Sequence, residues 1–175
     1  MDESIFWRVY SALITFFDND CGLFQFDSSE RSMTHKFAEY LQKEFQNFNV
    51  DCEYNRRGAI PKTMPRDLFP NIQANDNDAK TIFPDILIHE RGRQGNNLLV
   101  IEVKKSNSQN SEDNDITKLK EFTKSEGNYQ YSLGLFIIFD IDNKKIKKIN
   151  AYKNGSMIEI DNKFKEMIEE LSCDR

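Results

Sequence analysis

The chain has 175 residues, 38% of them hydrophobic and 30% charged, with 14 Phe and 6 Tyr. That is the length of one ordinary domain, and the profile excludes an intrinsically disordered chain. The net charge of −5 excludes a uniformly basic surface, so any contact with nucleic acid has to rest on local basic patches or on a partner.

Met1-Asp2-Glu3 is acidic where a secretory leader is basic. The longest apolar run, Leu133 to Phe139, is too short to cross a membrane. Cys21, Cys52 and Cys173 are scattered, odd in number and without a C-x-x-C pair. They predict neither a disulfide framework nor a zinc site, and they suit a reducing, cytoplasmic setting.

The first helix is expected over about Ser4 to Phe17, with Ile5, Val9, Leu13 and Phe16 or Phe17 on one stripe. A second is expected over about Ser28 to Gln46, where Met33, Phe37, Leu41, Phe45 and Phe48 repeat at helical spacing. A strand follows at Val50 to Tyr54. Asn55 to Lys80, with Pro61, Pro65 and Pro70, reads as a long irregular stretch of the kind often tied to function. Strands at Ile82 to Glu90 and Asn97 to Lys104 flank the glycine-bearing turn Arg91 to Asn96 and form a hairpin.

A helix over about Asn114 to Ser125 turns Ile116, Leu119 and Phe122 inward. Leu133 to Phe139 is apolar on both faces, as a central buried strand is. A strand at Ile146 to Tyr152, the hairpin turn Asn154-Gly155, a short strand at Met157 to Ile160 and a last helix at Asn162 to Leu171 complete the order. Residues 1–175 thus read as one domain of the α/β class, a mixed central sheet flanked by helices.

Side chains alternate along a strand. Leu99, Ile101 and Val103 therefore leave one face of the second hairpin strand, while Leu98, Val100, Glu102 and Lys104 leave the other. Pro84-Asp85 opens the first hairpin strand, and antiparallel pairing brings Asp85 beside Glu102 and Lys104. Two carboxylates at one sheet end make a hard-oxygen site suited to Mg²⁺, with Mn²⁺ as a substitute. A neighbouring ammonium can orient a water and stabilise developing negative charge.

Pro84-Asp85 followed by Glu102-Val103-Lys104 resembles the PD-(D/E)xK nuclease superfamily, which includes many restriction enzymes. The resemblance covers about Asp27 to Phe139 and implies a restriction-endonuclease-like core of order α-β-β-β-α-β. An N-terminal helix and a C-terminal hairpin and helix are then additions. It further implies Asp85 and Glu102 as metal ligands, the Val103 carbonyl as a third, and Lys104 as the residue that positions the attacking water. Members often add an acid from the first core helix. At ~100° per residue, Glu30 shares the inward stripe and Glu39 does not, so Glu30 is the candidate. A capping box with Asp27 is the structural alternative for Glu30.

A second pattern, Ser29 to His35 with Asp51 to Arg56, is similar to small bacterial members and puts His35, Glu53 and Arg56 at the cleft. His89 lies about 13 Å along the strand from Asp85, too far for direct chemistry. Arg56, Arg57, Lys62 and Arg66, with Lys105, are expected to contact a phosphate backbone. The lysines at 118, 120 and 124 and at 144, 145, 147 and 148 read as solvated surface. The resemblance implies a Mg²⁺-dependent nuclease acting on DNA rather than RNA, without a membrane partner, as a homodimer or within a larger complex. The rivals are a catalytically silent nuclease-fold subunit that binds nucleic acid or a protein partner, and a metal-binding regulator.

Overall fold

A computed structural model describes residues 2–57, 60–69, 79–92 and 96–173. The chain opens with α1 (Asp2–Asn19), α2 (Gly22–Gln25) and α3 (Glu30–Glu44), then β1 (Asn49–Cys52). Four short strands follow: β2 (Arg56–Arg57), β3 (Ile60–Pro61), β4 (Thr63–Pro65) and β5 (Ala79–Thr81). The hairpin is β6 (Ile86–His89) and β7 (Asn97–Lys105). Then come α4 (Asp113–Thr123), β8 (Leu133–Asp140), β9 (Lys145–Lys153), β10 (Ser156–Ile158) and α5 (Asn162–Glu169).

One 6-stranded sheet has the order β1-β6-β7-β8-β9-β10. β7 and β8 run parallel, joined through α4, and the other neighbours are antiparallel. The fold is thus mixed α/β with helices on the sheet, as expected. No helix among the described residues is long and apolar enough to cross a membrane.

Each sheet face has its own core. On one, Val9, Leu13 and Phe16 of α1 and Met33, Phe37 and Leu41 of α3 meet Leu99, Ile101, Val103, Leu135, Ile137 and Phe139. Phe139 is the hub, with its ring 5.4 Å from Phe16, 5.6 Å from Phe24 and 6.3 Å from Phe37. Burying one such ring stabilises the fold by about 1.5–3 kcal/mol. On the other face, Leu119 and Phe122 of α4 join Leu87, Val100, Phe136 and Ile138, with Met64, Phe69 and Ile82 from the segment before β6. α4 comes so close to β8 that a Cβ on Gly134 would lie 3.1 Å from Thr123 Cγ2.

Several expectations need correction. The strand foreseen over Ile82 to Glu90 is confined to Ile86–His89. Before it, the Ile82 amide donates to Lys62 O at 2.9 Å, so this stretch belongs to a separate ribbon. The described part of Asn55 to Lys80 is that ribbon rather than irregular chain: β3 pairs with β2, β4 pairs with β5, and the Lys62 amide donates to Asn55 O at 2.5 Å. The rest of that stretch, with Pro70, lies outside the described residues, as do positions 93–95 of the expected turn.

Leu98 packs with the first core rather than the second. Ile88 faces Leu99 but His89 faces Asn97, so Leu98 is the extra residue of a β-bulge, and alternation fails there. Asn154 and Gly155 do make the expected tight turn, with φ of 52° and 76°.

Cys21 and Cys173 form a disulfide, against the expectation of none. They are 152 positions apart, yet the chain after α5 returns to the end of α1. Such pairing removes the support that cysteine usage gave to a reducing cytoplasm. Cys52 is the free thiol.

Candidate active site

β7 carries apolar side chains for most of its length and charged ones at its C-terminal end. One step beyond the pair Ile86–Ile101, Asp85 falls opposite Glu102. Asp85 Oδ2 accepts from the Val103 amide at 2.8 Å, and its carbonyl accepts from the Glu53 amide at 3.2 Å. The carboxyl is therefore held by one main-chain amide and the Asp85 backbone by another. Val100, Glu102 and Lys104 share the α4 side of the sheet, the phase that strand alternation requires.

Lys104 is where a correction is needed. Its ammonium donates to Asp115 Oδ2 at 2.8 Å and to Ser111 O at 3.1 Å, not to Glu102. The ammonium against Glu102 belongs to Lys118 of α4, which bonds Glu102 Oε2 and also lies 3.0 Å from Asp115 Oδ1. A chain Lys104–Asp115–Lys118–Glu102 results, buried at Lys104 and Glu102 and half-buried at Asp115 and Lys118. Glu102 is 0% exposed, and its second oxygen, Oε1, has no hydrogen-bond partner. Lys118 and Asp115 were the functional candidates that sequence reasoning missed. The signal was available: Asp115, Lys118, Leu119 and Phe122 share one helical stripe, and two of these are buried core residues.

The electrostatics follow from this enclosure. Burial pushes the Asp85 carboxyl up to about 6, although Lys118 and the Val103 amide pull the other way. Burial, and then the neighbouring Asp85, hold Glu102 well above the usual carboxylate range. Burial also acts to raise Asp115, but Lys118 and Lys104 outweigh it and hold the carboxyl low. For Lys118 burial lowers the pKa, and Glu102, Asp115 and Asp85 together outweigh it, so the ammonium is held charged. Three carboxylates thus face two ammonium groups, leaving negative charge under-compensated around Asp85 and Glu102.

Asp85 also opens onto a cleft of about 600 Å³ lined by Glu30, Arg31, His35, Cys52 and Glu53 among others. Glu30 is the first residue of α3, and its Oε2 accepts from the Lys105 amide at 2.9 Å, beyond the end of the Glu102–Lys104 pair. The capping box with Asp27 does not form. Ser29 is the cap, accepting from the Ser32 amide, while Asp27 pairs with Lys105 at 2.5 Å. Glu39 points away and pairs with Lys36 and His35. Of the three residues expected at the cleft, His35 and Glu53 line it, and Arg56 lies on the exposed β2. His89 is buried against Asp51 at 2.9 Å, a structural pair.

The cleft and the buried chain are separate. Glu30 and Asp85 are reached from the α3 side, whereas Glu102 is sealed under α4, and Asp85 stands between them.

The basic residues also sort differently from expectation. Arg56 and Arg57 are exposed. Lys62 is 3% exposed. It donates to Tyr54 O and Arg56 O and lies over the Tyr54 ring, so it is a buried strut and not a phosphate contact. Burial pushes its pKa down to about 8. Lys105 is likewise engaged, with Asp27 and with Ser28 O at 2.8 Å. The Arg66 side chain lies outside the described residues.

Among the described residues, no three His, Cys, Asp or Glu side chains group as a cation site. Asp85 and Glu102, with a main-chain oxygen such as that of Val103, are the residues that could hold a divalent ion. The unpartnered Glu102 Oε1 and the excess of buried carboxylate suit a cation. A scan against protein-family models finds no match, and searches of curated proteins and of solved structures find none either.

Proposed function

We propose that the chain is a metal-dependent nuclease of the PD-(D/E)xK type. The observation that carries this reading is the opposition of Asp85 and Glu102 across β6 and β7, with one buried Glu102 oxygen left without a donor. The succession α3, β1, β6, β7, α4, β8 supports the restriction-endonuclease-like form of the core. Asp85 and Glu102 are the ligands of the ion, with the Val103 carbonyl beside them. When bound, Mg²⁺, or Mn²⁺ in its place, supplies Lewis-acid stabilisation of charge on a phosphoryl group. The Val103 amide already holds Asp85 Oδ2, so Asp85 would take up an ion with little further loss of side-chain freedom. Glu30 faces the same cleft and is the residue placed to orient a water or accept its proton. Arg56 and Arg57 are the phosphate contacts. DNA is preferred to RNA by family frequency alone.

One observation favours a second reading, a nuclease-fold subunit without catalysis. Glu102 is fully buried and Lys104 is taken by Asp115, so the triplet is not open to the cleft. Incubation with supercoiled, linear and single-stranded DNA and with RNA, in Mg²⁺ or Mn²⁺, separates the two. Cleavage by the wild-type chain that disappears in Glu102→Ala supports the nuclease. Failure to cut any substrate, with no heat of metal binding, favours the silent subunit.

A further inference from the structure

We infer that Lys118, not Lys104, is the positioning lysine of the carboxylate site: it pins Glu102 Oε2 and thereby leaves Glu102 Oε1 as the oxygen offered to a divalent ion. The inference rests on the nuclease reading for the ion, but its grounds are contacts within the chain.

The E-x-K spacing puts Lys104 on the same strand face as Glu102, and spacing alone assigns it the role. The contacts assign it elsewhere. The Lys104 ammonium is held by Asp115 Oδ2 and Ser111 O, and no bond to Glu102 is formed. Asp115 separates the two lysines, one on each carboxylate oxygen. Lys118 is thus anchored on Asp115, and another of its three donors is directed at Glu102 Oε2.

A carboxylate whose two oxygens were both satisfied by protein donors would have fewer lone pairs left to offer an ion. One whose oxygens were both unsatisfied would be costly to bury and free to rotate. Glu102 has one of each, with Oε1 buried and without a partner. The lysine that makes this division comes from α4, whose place over β7 is set by the parallel β7–β8 crossover. An oriented outer partner of this kind typically contributes 10–100-fold to metal affinity.

Two measurements on the full chain test this. The first is Mn²⁺ affinity by calorimetry at fixed pH, with folding checked by circular dichroism. Lys118→Met is expected to weaken Mn²⁺ binding about tenfold or more, Lys118→Arg to recover part of the loss, and Lys104→Met to weaken it less than Lys118→Met does. The second needs no variant and covers the case in which Lys118→Met does not fold: a crystal structure of the wild-type chain with Mn²⁺, located by anomalous scattering. The ion is expected on Glu102 Oε1 with Lys118 still on Oε2. Wild-type Mn²⁺ binding with unchanged or tighter binding by folded Lys118→Met overturns the inference and leaves the nuclease reading standing. So does an ion that displaces Lys118 or draws Lys104 onto Glu102. No Mn²⁺ bound by the wild-type chain overturns both.

Discussion

The two faces of β7 obey different rules. Leu99, Ile101 and Val103 enter a core built by apolar side chains of α1 and α3, which the hydrophobic effect explains. Val100, Glu102 and Lys104 leave the opposite face, and only Val100 finds apolar company. The other two enter a chain of buried charges with Asp115 and Lys118. Replacing a buried ion pair with well-packed apolar residues is often neutral or stabilising. A face that keeps charges where leucines would serve stability better is therefore the face to examine for function.

The contrast can be broken most sharply by activity. Glu102→Ala is expected to lower cleavage by about 10²-fold or more, since even outer partners of a metal site are worth 10–100-fold. Phe139→Ala, on the apolar face, is expected to cost about 3–5 kcal/mol in a denaturant melt while the protein that remains folded keeps its specific activity. Lys118→Met is expected to cost about 3 kcal/mol by stranding Glu102, while Asp115 keeps Lys104. The double variant Glu102→Gln/Lys118→Met should be more stable than Lys118→Met alone. Equal stability of single and double variants would mean that the pair is not coupled.

Asp85→Asn goes the other way. The Asp85 pKa is raised in the folded protein, to about 6, so its contribution to stability is fully present below the unfolded carboxylate range and is lost as pH rises through about 6. Asn keeps an acceptor for the Val103 amide. The variant should gain about 1–2 kcal/mol at pH 7 and nothing at pH 3, as thermal melts across that range will show.

The smallest effect concerns the basic residues. Arg56→Ala and Arg57→Ala should each lower the salt slope of DNA binding by about 1. Lys62→Met should leave it unchanged, because the Lys62 ammonium is spent on main-chain carbonyls.

How far local sequence encodes this fold and site is uneven for physical reasons. The alternation of β7 from Leu99 to Lys104, the hairpin opposition of Asp85 and Glu102, and the inward phase of Glu30 all follow from local periodicity and agree with the structure, while the bulge at Leu98 does not follow from it. A run of lysines normally faces water, which groups Lys118 with Lys120 and Lys124. Its place on the Leu119–Phe122 stripe, turned inward by the β7–α4–β8 crossover, overrides that rule. Lys62 sits between Ile60 and Met64 in a segment whose prolines suggested no regular structure, so its alternation with Met64 into the second core was overlooked. The Cys21–Cys173 bond joins positions 152 apart, a contact that no local pattern encodes.

Calorimetric titration of the wild-type chain with Mn²⁺, beside Asp85→Asn and Glu102→Gln, tests most directly whether these two carboxylates share a divalent ion. A shared site predicts saturable binding by the wild-type chain that both substitutions abolish, together with a rise in melting temperature confined to the wild type. Absence of binding by the folded wild-type chain, or binding that survives both substitutions, would contradict it.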